Sequence, residues 1–236
     1  MADFIPLTLA AELPPLTALD LASCAGSHLF IDGGSNLGES VAAFLSGAFH
    51  RCALHSPNRL YGDAWQRLSG KERAEEMAAL SKPSSWCVRS LEANKRLLPT
   101  LRQLQLQQRA SGLNVRYIDG LLGTTTSASF PRSVVTYSHD PAGSGATHFR
   151  WAEIHASGDP PNLHEEIVHG PSYDARDLIA EAIRLQPKAE IALKLDIEGG
   201  EFAVLDALLT PSKPNAKPPL CHVSHLFVEV RAGSAL

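Results

Sequence analysis

Residues able to do chemistry gather in three short stretches of this chain. The first is FIDGGSNLGES, Phe30 to Ser40, where Asp32, Gly33, Gly34, Asn36 and Gly38 stand close together. The second is Glu92, which closes the apolar run WCVRSL. The third is LKLDIEGGEF, where Asp196, Glu198 and Glu201 fall within six residues. Carboxylates so close together suit proton abstraction or cation binding. Glycines between a strand and a helix suit a ligand that lies against bare backbone.

The glycine stretch comes close to two nucleotide-binding loops. A phosphate-binding loop reads G-x-x-x-x-G-K-[ST]. Gly33, Gly38 and Ser40 match it, but Glu39 takes the place of the Lys, and a carboxylate there repels a polyphosphate. A dinucleotide loop reads G-x-G-x-x-G. Gly33 and Gly38 match, but Ser35 adds a Cβ where the backbone must approach the pyrophosphate. A cationic, phosphate-free nucleoside suits the loop better. S-adenosylmethionine is such a ligand, with a sulfonium, an amino-acid end and an adenosine. Glu92 is placed to accept from both ribose hydroxyls, a role that would serve NAD as well. A tight glycine turn without a ligand is the remaining reading of the loop.

These stretches need elements to position them. HLFI, His28 to Ile31, reads as a strand running into the loop, and Val41, Phe44, Leu45 and Ala48 follow helical spacing after it. Trp86 to Leu91 is a second strand. A helix follows with Leu97, Leu98, Leu101 and Leu104 on one side, Pro99 in its first turn and Gly112 as its stop. Val115 to Ile118 is a third strand, ending at Asp119-Gly120, which serves as an adenine contact or an ordinary turn. Residues 120–170 give β-like pieces (TTTSASF, SVVTY, HFRWAEIHA) between loop-like ones. A helix from Asp174 to Leu185, a strand from Ile191 to Leu195, a helix ending at Pro211 and a strand from His225 to Val230 complete the chain. Strands alternating with helices predict an α/β fold, a mostly parallel, doubly wound sheet. The chain reads as one domain, 1–236, with a lead-in over 1–27 and an insertion over 50–85 that holds a short helix, Lys71 to Leu80.

Taken in order, the pieces resemble the FkbM-type S-adenosylmethionine-dependent methyltransferases. FIDGGSNLGES is similar to that family's D-x-G-x-N-x-G-E motif. WCVRSLEANKRLL and VRYIDGLLGTTTSASF resemble its second and third strands. LKLDIEGGEFAVLDALL resembles its K-x-D-x-E-G-x-E signature, and HLFVEV its following strand. The resemblance spans roughly residues 28–230. It implies a Rossmann-like class I methyltransferase fold and methyl transfer to oxygen on a small-molecule or glycan acceptor. Asp32, Gly33, Gly34, Asn36, Gly38, Glu92 and Asp119 would bind cofactor, while Asp196, Glu198 and Glu201 would form the catalytic edge. Asp196 leads that set at its strand end. Glu198 closes the loop or touches substrate, and Glu201 in a first helical turn is favoured by the helix dipole in any case. Asn36 either binds the cofactor's carboxylate end or stabilises its own turn. Glu229, on the same edge, is a further candidate. Two features depart from the family pattern: Glu92 follows Asp32 by about 60 residues rather than about 20, and the chain stops at Leu236, leaving no room for the C-terminal antiparallel hairpin. A NAD-dependent oxidoreductase and a non-catalytic, methyltransferase-like binding module are the alternatives.

Bulk properties bound the rest. The chain has 236 residues, 44% of them hydrophobic, enough to bury a core. Its net charge of −4 argues against nucleic acid as a partner. The four cysteines, Cys24, Cys52, Cys87 and Cys221, lie far apart and read as buried free thiols in a reduced, cytoplasmic protein. The N-terminus lacks a basic region and reads poorly as a leader, and no stretch approaches the ~18 apolar residues of a membrane span. None of the ten histidines falls in a zinc spacing, and no metal is expected. His222 and His225 flank the last strand, where one could act as a base. The last strand leaves a sheet edge that a second copy of the chain could cover, making a homo-oligomer.

Overall fold

The computed structural model describes residues 19–46, 83–137, 140–147, 163–197 and 199–229. The proposed helix Lys71–Leu80, most of the 50–85 insertion, the HFRWAEIHA stretch, Cys52 and Glu198 lie outside these residues.

The chain runs through β1 (His28–Gly33), α1 (Glu39–Leu45), β2 (Trp86–Glu92), α2 (Leu98–Ala110) and β3 (Asn114–Asp119). Then follow β4 (Leu121–Gly123), β5 (Ser127–Tyr137), β6 (Asp140–Thr147) and β7 (Leu163–Asp174). The last part holds α3 (Ala175–Leu185), β8 (Ile191–Leu195), α4 (Glu201–Leu209) and β9 (His225–Val228). Five strands form the central sheet in the order β3-β2-β1-β8-β9, with every neighbouring pair parallel. The protein is therefore of the α/β class, compatible with a Rossmann-like fold.

Alternation along each strand builds two cores. Phe30, Val88, Val115 and Ala192 turn to the face covered by α1 and α2, where Val41, Phe44, Leu98 and Leu101 meet them. Phe30 stacks on Phe44 with ring centroids 3.8 Å apart, and Trp86 meets Phe44 edge-on at 4.9 Å. Leu29, Ile31, Leu193 and Leu195 turn to the opposite face, under Leu178, Ile179 and Ala182 of α3 and Val204 and Leu208 of α4. Each fully buried side chain of this size contributes roughly 1.5–3 kcal/mol. Local signals set the helix ends. Pro99 lies in the first turn of α2, Gly112 adopts φ +82° beyond its last turn, and the Asp174 side chain accepts from the Arg176 backbone N–H to cap α3.

The stretch between β3 and α3 is a second sheet of order β4-β7-β5-β6, in which β5 pairs antiparallel with both β6 and β7. The sequence shows it only as fragments, since β5 carries Pro131 and β6 reads DPAGSGAT, turn chemistry by composition. Pairing with neighbours overrides local preference there.

The cysteine expectation needs correcting. Cys24 and Cys87 form a disulfide across 63 residues with Cα atoms 5.3 Å apart, and Cys221 is a free thiol but exposed. The bridge is possible because the chain before β1 lies on β2. Arg89 of β2 holds that segment, its guanidinium donating to the Leu19 and Asp20 carbonyls and to Ser23 Oγ. Such bridges persist in oxidising compartments, so the reduced-thiol reading does not hold for this pair. No helix of the described residues is long and apolar enough to cross a membrane.

Candidate functional site: an acidic cleft at the strand-order switch

Strand order reverses direction between β1 and β8, and ligands of open α/β sheets bind at the carboxyl ends beside such a switch. Register brings polar groups together there. Asp32 of β1 is aligned with Ser90 of β2 on one side and Lys194 of β8 on the other. The same alternation that puts Phe30, Val88 and Ala192 under the helices puts these three side chains in the next row toward the carboxyl end.

Asp32 is fully buried. Its Oδ2 accepts from Ser90 Oγ at 2.6 Å and Ser40 Oγ at 2.8 Å. Its Oδ1 faces Lys194 Nζ at 3.5 Å and accepts no hydrogen bond among the described residues. Burial pushes the Asp32 carboxyl above its ordinary value, against the opposing pull of Lys194 and the two hydroxyls. Lys194 Nζ also donates to the Gly34 carbonyl at 3.1 Å and to Asp196 Oδ2 at 2.9 Å. Burial alone would lower the Lys194 pKa, but Asp32, Asp196 and Glu229 outweigh it and hold the ammonium above its ordinary value. Lys194 is thus the hub that fastens the glycine loop to the end of β8, a role the sequence reading did not assign. A charged residue inside the apolar run IALKL, two positions before Asp196, was the available signal.

The glycines are needed where they stand. Gly34 has φ +94°, and a Cβ on it would collide with the Asp196 carbonyl oxygen. Ser35 is buried and turned inward, with its Oγ 2.5 Å from Ser90 Oγ. Its side chain therefore does not obstruct the outer face of the loop, and the steric argument against a pyrophosphate falls away. Asn36 adopts φ +48° at the exposed tip, and its backbone N–H donates to Glu92 Oε2 at 2.8 Å.

Between the loop, α1 and the ends of β8 and β9 lies a cleft of about 240 Å³, lined by Gly34, Asn36, Glu39, Lys194, Asp196 and Glu229 among others. Three carboxylates and one ammonium border it, and that ammonium is already committed to Asp32 and Asp196. A cavity of about 280 Å³ lies at the opposite, amino-terminal end of the sheet between Ser27, His28 and the chain after α3, away from these groups.

The other candidates are placed as follows. Glu92 is buried, with Oε1 accepting from the Asn94 N–H at 2.6 Å and Oε2 from the Asn36 N–H. Burial pushes its carboxyl up to about 7, although the two N–H donors oppose this. Each oxygen keeps a second acceptor position. Asp119, aligned with Glu92 at the end of β3, pairs with Arg132 at 2.8 Å and with Lys95 at 3.7 Å. Asp196 faces the cleft. Glu201 turns its carboxylate into its own turn, where Oε1 accepts from the Ile197 N–H at 2.8 Å and Oε2 from the Gly199 N–H at 2.9 Å. Among the described residues no three histidine, cysteine, aspartate or glutamate side chains converge to hold a metal.

The fold and the site define an α/β protein with an acidic cleft at the carboxyl edge of its parallel sheet. No protein-family profile, curated protein or solved structure matches the chain.

Proposed function

We propose that the protein is an S-adenosylmethionine-dependent methyltransferase of the Rossmann-like class I type, acting on a hydroxyl of a small molecule or glycan. The observation that carries this reading is the charge of the cleft. Glu39, Asp196 and Glu229 line it, and Lys194 is neutralised by its own partners. Such a surface repels phosphate groups and attracts a ligand bearing a sulfonium and an ammonium. The bare backbone at Gly33 and Gly34 lets the loop pack directly on the end of β8, and this holds Asp196 and Lys194 at the cleft. The cleft is smaller than the ~300–1,000 Å³ usual for a whole ligand site. It suits the charged amino-acid end, which leaves the nucleoside end to Glu92 and Asp119.

The cofactor would supply an already activated methyl group. The residues of the chain supply alignment and proton removal. Asp196, held by Lys194, takes the proton from the acceptor hydroxyl. Glu201 keeps the turn after β8 in shape, so it acts through Asp196 rather than on substrate.

The test is a calorimetric titration with S-adenosylmethionine, S-adenosylhomocysteine and NAD, repeated on Glu92→Ala. The expected result is binding of the first two in the micromolar range, weakened in the variant, with no heat from NAD. Binding of NAD alone would overturn the proposal in favour of an oxidoreductase.

A further inference from the structure

Arg132 is a buried cation that the site described so far does not use. It belongs to β5, in the second sheet, and its side chain is fully buried. Its Nη2 donates to Asp119 Oδ1 at 2.8 Å, and its Nη1 lies 3.4 Å from the Pro171 carbonyl oxygen. Its Nε has no hydrogen-bond partner among the described residues. Desolvating a guanidinium costs several kcal/mol, and a buried ion pair is weak evidence for stability in itself. The fold nonetheless makes room for this one. At Gly170 of β7, a Cβ would stand 2.5 Å from Arg132 Cζ.

The two partners are unequally placed. Arg132 is enclosed, whereas the Asp119 side chain is 29% exposed. A planar, rigid guanidinium donating to one oxygen of a partly exposed carboxylate restricts the orientation of that carboxylate. Oδ1 is held by the buried guanidinium, and Oδ2 lies on the side of Lys95, whose Nζ is 3.7 Å away on a side chain 53% exposed. Asp119 stands beside Glu92 in register at the carboxyl edge, and the charge of Arg132 reaches Glu92 as well.

We propose that Arg132, carried on the second sheet, is a positioning residue for the nucleoside end of the site: it pins Asp119 Oδ1 so that Oδ2 is presented to an exocyclic amine, the 6-amino group of adenine. The inference rests on the cofactor reading above and adds the second sheet to the site as its source of base selectivity.

The experiment compares binding of S-adenosylhomocysteine with binding of its analogue in which hydrogen replaces the 6-amino group. It uses the full chain, Asp119→Asn, Arg132→Met, Arg132→Lys and Gly170→Ala, with a melting curve for each. One charge-assisted hydrogen bond gives the unaltered chain a preference of about tenfold for the amino-bearing ligand. Arg132→Met and Gly170→Ala should each lose most of that preference while binding the analogue as before, and Arg132→Lys should keep part of it. Gly170→Ala displaces the guanidinium without removing a charge, so it decides the matter if Arg132→Met does not fold. The proposal fails if either variant keeps the full preference. It also fails if both ligands weaken by the same factor, which would make Arg132 a structural tie between the sheets. An unaltered chain that binds both ligands equally would sink this inference and leave the cofactor reading standing; one that binds neither would end both.

Discussion

Glu92 shows how much one side chain does at this edge. Its carboxylate joins the tip of the glycine loop to the turn after β2 through the N–H groups of Asn36 and Asn94, and it is buried while doing so. Burial pushes its pKa up to about 7, above the ordinary 4.5, so the folded chain keeps a proton that the unfolded chain has lost. The stability contributed by that proton is complete below about pH 4.5 and is lost as the pH rises through about 7, an effect of a few kcal/mol. Urea unfolding at stepped pH should therefore show stability falling from pH 5 to 8, and Glu92→Gln should flatten that slope. An unchanged slope would show that other groups set it. Glu92, Asp32 and Asp196 were all readable in the sequence because each ends an apolar strand. Lys194 and Ser90 were not, since a lone Lys or Ser inside a strand gains meaning only once register sets it beside Asp32. The consumption of Glu201 by its own turn was equally hidden, because it depends on where two N–H groups point.

At the level of elements, the parallel core was legible and the second sheet was not. WCVRSL and IALKL became strands buried along their whole length, as apolar runs between helices should in a parallel sheet. β6 offers Gly and Pro instead, and among the described residues its one strand partner is β5, which holds it extended. The segment Leu21–Cys24 before β1 was also invisible as structure, yet the Cys24–Cys87 bridge and the Arg89 clamp fix it to β2. Bridging residues 63 apart constrains the unfolded chain by about 4 kcal/mol on the loop-entropy account. The double variant Cys24→Ser/Cys87→Ser should lose stability of that order in denaturant, and the unaltered chain should lose the same amount on reduction. Equal stability with and without reductant would mean that the bridge does not form in solution.

For the molecule as a whole, charge placement matters more than total charge. The net charge of −4 is modest, but three carboxylates border one small cleft. Glu39 and Glu229 are exposed and Asp196 is partly so, so salt screens the pull of the cleft on a cation, over about 10 Å at 0.1 M. On the function proposed above, raising salt from ~50 to ~500 mM should weaken binding of S-adenosylmethionine several-fold, as titration at stepped salt would show. Affinity that holds steady would mean that contacts other than these carboxylates dominate. The order of the strands has a further consequence, for how the protein is made. β1 acquires β2 as a neighbour soon after it is translated, but its other neighbour, β8, leaves the ribosome about 160 residues after β1. At ~5–20 residues per second that interval is roughly 8–30 s. Throughout it, one edge of the central strand and the apolar face meant for α3 and α4 have no native cover. Slower translation lengthens that exposure, so co-expressing a chaperone should raise the yield of folded protein, and an unchanged yield would show that the open edge does no harm.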